Sequence, residues 1–520
     1  MRLFHTPTVA SAVFDEPNLV SAAGLVPVMA LARRAGLGEL AQARLSVPSD
    51  KGANAGAKIC SLVAGMAAGA DSIEDMGVLR HGAMGKVIGG GHAPSTLGSF
   101  LRAFTFGHVR QLDAVASRFL RSLAAQTALL GAHDDRHLVM VDIDDTVVEV
   151  HGYKKQGAGF GYSGVRGLNA LLATVSTATI APVVVAQRLR KGSCGSPRGA
   201  ARLVSEALAA LGRTHLVGRG VLVRADSAFY SHAVVDAALK AGAQVSITVR
   251  MDPAVKRAIA AITDEQWTTI KYPQAIFDQT TGEWVSKAQV AQIPFTAFTS
   301  KKTAEQVRGR LVVRRIPDAN IRAGHGQPTL FQTWRFHAFF TTTILDTVTA
   351  DQTHRAHAVI ENVHADLKAS ALAHLPSGVF NANAAWLVCA VMAFNLTRAA
   401  ATITGPSLAR ATTATVRRKI ITVPARIATS ARRLHLHLPS AGPGPGTGSS
   451  CSTTPAGHRQ QPRPDHQPTR ARPEQQWNAP TARPASSSHP PDNLAPQPRS
   501  TPHPQDHRWI QAKRMSQLRS

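Results

Sequence analysis

The middle of the chain alternates β-rich and helical runs, and this order limits the fold more than any other feature of the sequence. The β-rich runs lie at residues 137–144, 169–176, 180–189, 220–226 and 244–250. Amphipathic helices are predicted between the last three of these runs, at residues 196–211 and 231–241. Strands that alternate with helices predict an α/β core, because the helices can cover the faces of the sheet.

Acidic residues end two of these β-rich runs. Asp142, Asp144 and Asp145 lie at the end of the first run, and Asp226 ends the run that begins at Gly220. Ligands of α/β proteins bind beyond the carboxyl ends of the strands. Carboxylates at two such ends, with a third from a packing helix, would form a site for two hard cations. Two such ions can stabilise the attacking and the leaving oxygen of a phosphoryl transfer.

The third carboxylate is expected on a long helix at residues 353–372. Five polar residues share one face of this helix, because they are spaced by three or four: His354, His357, Glu361, His364 and Lys368. The opposite face is apolar and is predicted to pack on the sheet. The polar stripe indicates either a site around Glu361 or a solvated face with ordinary ion pairs, and periodicity alone does not separate the two.

The flanking regions have different compositions. Residues 1–130 predict a helical DNA-binding region of the helix-turn-helix kind, although an ordinary helical domain fits the pattern as well. Residues 131–430 contain the predicted α/β core, and about 260–350 are predicted to be mostly β-strands. Residues 439–520 are rich in Pro, Ser, Gln and Arg and have no hydrophobic periodicity, so they predict a disordered basic tail.

The formal net charge of +26 indicates a polyanionic partner, and nucleic acid is the first candidate. No two of the four cysteines form a CxxC pair, which argues against a cysteine-based zinc finger and fits a reducing cytoplasm. The apolar run at residues 384–396 is shorter than the roughly 20 residues that cross a bilayer, so a buried helix is predicted there. We therefore expect a cytoplasmic protein that binds nucleic acid and no membrane.

Three segments together resemble a known family. They are Asp144-Asp145-Thr146 after a strand, Val221–Asp226 with the following Ser-Ala-Phe-Tyr, and the Glu361 helix that reaches Lys368. In this order they resemble the DDE transposases of the IS4-like superfamily, and its IS1380 family in particular. The resemblance extends from about residue 94 to about residue 436.

The resemblance implies an RNase H-like α/β core with a β-rich insertion. It also implies a catalytic triad of Asp144, Asp226 and Glu361 that binds two Mg²⁺ or Mn²⁺ ions. Asp142 and Asp145 remain alternatives for the first position of the triad.

The resemblance further implies DNA contacts near Glu361. The family has a Tyr and an Arg before this Glu and a Lys after it, and the matching positions hold His354, His357 and Lys368. A neutral His cannot make the bidentate phosphate contact of an Arg, so the contact expected at His357 is alternatively assigned to Arg355. Lys368 keeps the family's residue type and is expected to hold a phosphate.

The implied activity is metal-dependent cleavage of double-stranded DNA at the terminal inverted repeats of an insertion sequence. The freed 3′-OH then attacks target DNA, and the enzyme is expected to act as a homodimer on DNA. The insertion between Asp226 and Glu361 would help to handle the transposon end. Trp267, Trp284 and Trp334 are candidates for stacking on a flipped base there, although each is also an ordinary core residue by composition.

Four other functional interpretations compete with the transposase hypothesis. The GxGxxG pattern at 159–164 does not indicate a dinucleotide-binding site, because a β-rich run rather than a helix follows it. The stripe of His354, His357, Glu361 and His364 would suit zinc, but zinc leaves Asp144 unexplained. An inactive DNA-binding relative of a transposase, or a metal-dependent nuclease of RNase H-like fold, remain alternatives.

Overall fold

The computed structural model describes most of the chain up to residue 440. The described residues are 13, 15–48, 52–131, 137–161, 163–216, 220–270, 288–317, 334–431 and 433–440, with the backbone alone at 276–278 and 283–285. Residues 441–520, which contain nearly all of the predicted disordered tail, lie outside the described residues, and so does the side chain of Trp284.

The N-terminal part of the chain is helical, as its periodicity predicts. A short strand, β1 (Leu19–Val20), comes first. The helices that follow are α1 (Leu25–Arg34), α2 (Leu37–Arg44), α3 (Ala55–Ala68), α4 (Met84–Ile88), α5 (Pro94–Arg102) and α6 (Phe106–Gln126). Small residues such as Gly56, Ala64 and Gly65 let α3 pack closely in the core, where nearly all of its side chains are buried.

The central part of the chain forms alternating strands and helices. Its elements are β2 (Val139–Glu149), β3 (Gly159–Phe160), β4 (Arg166–Ser176), β5 (Val183–Lys191), α7 (Ala200–Leu211), β6 (Val221–Ala225), α8 (His232–Lys240), β7 (Gln244–Thr248) and α9 (Pro253–Ala260). Every β-rich and helical run predicted between residues 137 and 250 corresponds to one of these elements.

These central strands pair in the order β5-β4-β2-β6-β7. Strands β6 and β7 run parallel to β2, whereas β4 runs antiparallel to β2, to β5 and to the short strand β3. Nearly every residue of β4 is buried, which explains its apolar sequence, because a strand covered on both faces has no polar side. The expectation of an α/β fold with a large sheet is therefore confirmed.

The inserted strands extend this sheet. They are β8 (Thr268–Ile270), β9 (Ile276–Asp278), β10 (Glu283–Val285), β11 (Ala288–Ala297), β12 (Val307–Pro317) and β13 (Trp334–Thr341). Strand β13 pairs antiparallel with β7, and the order β13-β12-β11-β8 continues outwards from it. Strands β9 and β10 pair only with each other within the described backbone.

The C-terminal part returns to helices before a final hairpin. Its elements are α10 (Thr347–Arg355), α11 (Val359–Lys368), α12 (Phe380–Thr404), α13 (Pro406–Ala409), α14 (Thr413–Val416), β14 (Ala425–Ser430) and β15 (Arg433–His437). Helix α12 is long and apolar enough to cross a membrane, but 83% of its apolar window is buried inside the fold. It packs as a core helix, as the apolar run predicts.

The single helix expected at residues 353–372 is wrong. Helix α10 ends at Arg355, a 3-10 turn follows at Ala356–Ala358, and α11 begins at Val359. The break changes which side chains share a face, because a 3-10 turn rotates the chain by a different angle per residue than an α-helix does.

Candidate active site

Two acidic residues meet where the pairing of the neighbouring strands β2 and β6 ends. These strands are parallel, and Ile143 and Ala225 are their last paired residues. Asp144 is the next residue of β2, which continues to Glu149, and Asp226 directly follows the last residue of β6. Neighbouring strands lie about 4.8 Å apart. The two carboxylates predicted from separate parts of the sequence are therefore brought to the same edge of the sheet.

Asp144 is the partly accessible carboxylate of β2. Its side chain is 13% exposed, and its Oδ2 lies 3.5 Å from Nδ1 of His364 on α11. The backbone N–H of Asp145 donates to Oδ1 of Asp144 at 2.8 Å. These contacts turn the carboxylate towards α11 while part of it still reaches solvent.

Asp142, two residues earlier on the same strand, is completely buried. The Nε and Nη2 atoms of Arg224 each donate to one of its carboxylate oxygens at 2.7 Å. His357 Nδ1 lies 3.0 Å from Oδ1 of Asp142. Burial raises the pKa of Asp142, but the hydrogen bond from His357 and the charge of Arg224 outweigh it, so this pKa is lowered overall.

The same contact has the opposite effect on His357. Burial lowers the pKa of His357, but its hydrogen bond to Asp142 and the negative charge of that carboxylate outweigh burial and raise the pKa overall. The two residues thus stabilise each other's charged forms. With Arg224 they form a buried network that leaves Asp142 no exposed oxygen.

Asp145 is buried in a separate network. Arg190 Nη2 and Asn169 Nδ2 both donate to its Oδ2 at 2.5 Å, and Ser196 Oγ donates to its Oδ1 at 3.0 Å. The side chain is only 4% exposed. We refer to Asp142 and Asp145 as the sealed carboxylates, because buried side chains donate hydrogen bonds to both oxygens of each.

Asp226 has a fixed orientation at the end of β6. Its Oδ1 accepts a hydrogen bond of 2.9 Å from the backbone N–H of Ala228, which caps the 3-10 turn Ser227–Phe229. An Asp at the start of a helical turn satisfies a backbone donor that the turn itself leaves without a partner. The cap therefore explains why this half-buried carboxylate is held at the strand end.

The chain from His357 through helix α11 runs in the same direction as β2, along the same part of the strand. Three pairs of residues mark the alignment: His357 with Asp142, His364 with Asp144, and Lys368 with Val147, whose carbonyl oxygen accepts from Nζ at 3.1 Å. Glu361 lies between His357 and His364 along the chain and is exposed. We refer to Asp144, Asp226 and Glu361 as the acidic edge.

The predicted polar stripe is wrong at His354. This ring stacks on Phe339, with centroids 4.0 Å apart and planes 8° apart, and its nitrogens lie 2.9 and 3.0 Å from the hydroxyls of Ser246 and Thr248. Burial, together with the nearby charges of His357 and Arg224, lowers the pKa of His354 well below its ordinary value. His354 therefore packs against the sheet instead of lining a shared face.

The rest of the stripe is not simply solvated either. The side chains of His357 and His364 are only 16% and 6% exposed, and both lie against carboxylates of β2. On the apolar side of the helix, Ile360, Val363 and Leu367 are buried, as predicted. The stripe thus contributes to the interior of the site, with Glu361 at its exposed margin.

The three predicted DNA contacts have different surroundings. Arg355 Nε donates to Asp351 at 2.8 Å, and its side chain is 24% exposed. His357 is held by Asp142, as described above. Lys368 is exposed, and its ammonium nitrogen lies 3.1 Å from the carbonyl oxygen of Val147, three residues beyond Asp144 on β2.

The donor chemistry of the acidic edge fits a divalent cation, because Mg²⁺ and Mn²⁺ prefer carboxylate oxygens. The present side-chain positions do not enclose one. Within the described residues, no group of three or more His, Cys, Asp and Glu side chains lies close enough together to hold a metal ion. The polar stripe, which is an alternative zinc site by sequence, holds no such group either, since its histidines contact different partners.

The candidate stacking residues of the insertion surround an arginine. The guanidinium carbon of Arg315 lies 4.3 Å from the ring centroid of Trp267 and 4.5 Å from that of Trp334. Arg315 also donates to Gln289 at 2.6 Å. One face of each indole therefore already contacts a cation, an arrangement that is favourable in itself.

Sequence reasoning missed the partners of the sealed carboxylates. Arg224 is 1% exposed although it is charged, and Arg190, Asn169 and Ser196 are also buried. One signal was present in the sequence, because Arg224 interrupts the otherwise apolar strand Val221–Ala225. A charged residue inside a buried strand requires a buried partner.

Comparisons with known proteins identify a family. A family profile described as transposase DDE domain group 1 matches residues 6–446. No curated protein sequence matches the chain. The cryo-EM structure of a piggyBac transposase synaptic complex with hairpin DNA is similar with a TM-score of 0.35 and 9% identity, over 76% of this chain and 77% of that chain. A structural similarity at this level supports no inference, whereas the family match covers most of the chain.

Proposed function

Because the chain belongs to the family described as transposase DDE domain group 1, we propose that it cuts DNA at the ends of a mobile element and joins them to target DNA. The observation that carries this proposal is the acidic edge. Asp144 on β2 and Asp226 after β6 lie where the pairing of these parallel strands ends, and Glu361 lies on the helix that packs along β2. Within the described residues of β2, these contacts leave Asp144 as the accessible aspartate.

We also propose that the core is RNase H-like and that the element is an insertion sequence of the IS4-like superfamily, IS1380 family. The strand order β5-β4-β2-β6-β7, with β4 antiparallel to its neighbours, supports the first point. The second rests on the sequence resemblance. In this proposal residues 1–130 bind DNA, residues 131–430 form the catalytic domain with its insertion at 260–350, and residues 439–520 form a basic tail.

Asp144, Asp226 and Glu361 would hold two Mg²⁺ or Mn²⁺ ions. When bound, such ions supply charge stabilisation to the attacking and leaving oxygens of a phosphoryl transfer. The contribution of the protein's own residues is to hold these carboxylates in position. The Arg224–Asp142 pair joins β6 to β2 two residues before Asp144 and Asp226, and so it keeps these two residues side by side.

The proposed DNA contacts follow from exposure. Lys368 is exposed beside the acidic edge, so we assign it to a DNA phosphate next to the bond that is cut. Arg355 would contact DNA after release from Asp351, whose buried carboxylate would keep Arg314 as a cationic partner at 3.3 Å. His357 is the weakest candidate, and we assign its main role to holding Asp142 and α11 on β2.

We propose that the chain acts as a homodimer, because two element ends are cut, and that it works on double-stranded DNA at the nucleoid of a bacterial cytoplasm. The net charge of +26 supports the DNA partner. The terminal inverted repeats are the proposed substrate.

A cleavage assay tests this proposal. The full chain is incubated with DNA from the flanks of its own gene, with Mg²⁺ or with EDTA, beside Asp226→Asn. Metal-dependent cutting at an inverted repeat, joining of the ends to a target plasmid, and loss of both in the variant are the expected results.

Other outcomes favour the alternatives. Cutting without any joining indicates a metal-dependent nuclease, and specific binding without cutting by either protein indicates an inactive relative. Absence of specific binding by the wild type contradicts the proposal.

A further inference from the structure

An aromatic side chain stands exposed on the hairpin that joins β2 to β4. Tyr153 is 95% exposed, and Phe160 in the same hairpin is 66% exposed. A single exposed aromatic residue is ordinary on a protein surface. Tyr153 is distinguished by its place in the fold, by the way its backbone is held and by the charge around it.

The hairpin extends from the sheet on the same side as Asp144 and Asp226. Strand β6 ends at Ala225, whereas its parallel neighbour β2 continues for five residues beyond Asp144, to Glu149. At about 3.4 Å per residue these five residues extend about 17 Å. Tyr153 therefore lies beyond the strand ends, on the side where a DNA bound across Asp144 and Asp226 would leave the site.

The turn that carries Tyr153 is held in place by Arg166. This guanidinium donates to the carbonyl oxygens of Gly152 at 2.6 Å and of Tyr153 at 3.3 Å. Its carbon also lies 5.7 Å from the centroid of the Tyr153 ring. The arginine thus fixes the backbone below the ring and lies over the ring itself.

A second anchor ties the hairpin to the segment before α12. The backbone N–H of Gln156 donates to the Gly378 carbonyl oxygen at 2.9 Å, and its Oε1 accepts from the backbone N–H of Phe380 at 3.0 Å. Lys155 donates to the Leu375 carbonyl oxygen. A ring presented on an anchored turn loses little conformational freedom when it binds a flat partner.

The charge around Tyr153 favours an anionic partner. No Asp or Glu occurs between Val150 and Arg166, whereas Lys154 is exposed next to the ring and Lys155 follows it. Aromatic rings interleaved with cations are the usual surface for unpaired nucleotides, because the ring stacks on the base and the cations attract the backbone. Paired bases inside a duplex are not available to such a ring.

We propose that Tyr153 stacks on an unpaired base of the DNA strand that passes over the acidic edge. The inference rests on the proposed function, since it assumes DNA at that edge. At 3.4 Å per nucleotide, the 17 Å from Asp144 to the end of β2 spans about five base steps, and Tyr153 lies in the turn beyond this end. The preferred ligand is therefore a duplex with a frayed or single-stranded end.

Equilibrium binding to two labelled DNAs tests the proposal. One is a blunt duplex from the gene's flank, and the other is the same duplex with a single-stranded extension at its 3′ or 5′ end. The wild type should prefer the extended DNA. Tyr153→Ala should weaken its binding roughly five- to a hundredfold and leave blunt binding unchanged.

Matched variants separate stacking from other effects. Tyr153→Phe and Tyr153→Trp keep a flat ring and should retain the preference. Leu434→Ala, which truncates an exposed apolar side chain on β15, should change nothing. Because Tyr153 is so exposed, all variants should melt at the wild-type temperature.

Two results would overturn the stacking proposal: equal binding of both DNAs by the wild type, or an undiminished preference in Tyr153→Ala. The proposed function is tested separately in the same samples. Asp226→Asn should keep the preference but lose cleavage. A wild type that prefers the extended DNA but never cuts any DNA would support stacking and contradict the transposase activity.

Discussion

Asp142 and Asp144 lie two residues apart on β2, and the difference between their surroundings separates the sealed carboxylates from the acidic edge. Asp142 is completely buried with Arg224 and His357, whereas the Asp144 side chain is 13% exposed beside His364. Asp145, the next residue, is buried with Arg190, Asn169 and Ser196 as its partners.

The difference assigns separate tasks to residues of one type. A carboxylate that receives strong hydrogen bonds from buried partners on all sides has no oxygen to offer a cation or a phosphate. Removing one member of such a pair leaves an uncompensated charge in the interior, which is strongly destabilising. The sealed carboxylates should therefore determine stability, and the acidic edge should determine activity.

The largest stability effect is expected from Arg224→Met. It leaves Asp142 buried without its bidentate partner, so the free energy of unfolding should fall by about 3–5 kcal/mol, measured by urea denaturation. The double variant Asp142→Leu/Arg224→Met removes both charges and should recover much of this loss. If Arg224→Met alone were as stable as the wild type, the proposed distinction between the sealed carboxylates and the acidic edge would be wrong.

A smaller effect is expected from Ser196→Ala, which deletes one hydrogen bond to Asp145. A hydrogen bond to a charged group contributes about 1.5–3 kcal/mol, so the free energy of unfolding should fall by this amount. The rate of DNA cleavage by the folded protein should not change. Ser205→Ala on α7 is the control, because Ser205 is exposed and bonds only to a carbonyl oxygen of its own helix among the described contacts.

The smallest effect is a pH dependence at His357. Its pKa is raised in the folded state, so its contribution to stability is complete below the ordinary value of 6.5 and is lost as the pH rises through the raised value. The difference in unfolding free energy between wild type and His357→Gln should therefore decline above pH 6.5, by at most about 1.4 kcal/mol per pH unit. A difference that grows with pH would contradict the contact with Asp142.

The meeting of Asp144 and Asp226 was predictable, because both end apolar runs and parallel strands place such ends together. The burial of Asp142 and Asp145 with their hydrogen-bond partners was not predictable. Arg224 lies 82 residues from Asp142 in the chain, and local pattern carries no information about such a pairing. Periodicity likewise assigned His354 to the stripe, because it assumed an unbroken helix, and the 3-10 turn at Ala356–Ala358 follows from packing against β2 and β7.

The most direct test of the account compares DNA cleavage and thermal melting for two adjacent substitutions, Asp144→Asn and Asp145→Asn. The first should lower the cleavage rate at least about a thousandfold, because a carboxylate that holds a catalytic cation contributes several kcal/mol, and should leave the melting temperature near that of the wild type. The second should lower the melting temperature and preserve the cleavage rate of the molecules that remain folded. The account is contradicted if Asp144→Asn cuts DNA normally while a folded Asp145→Asn does not.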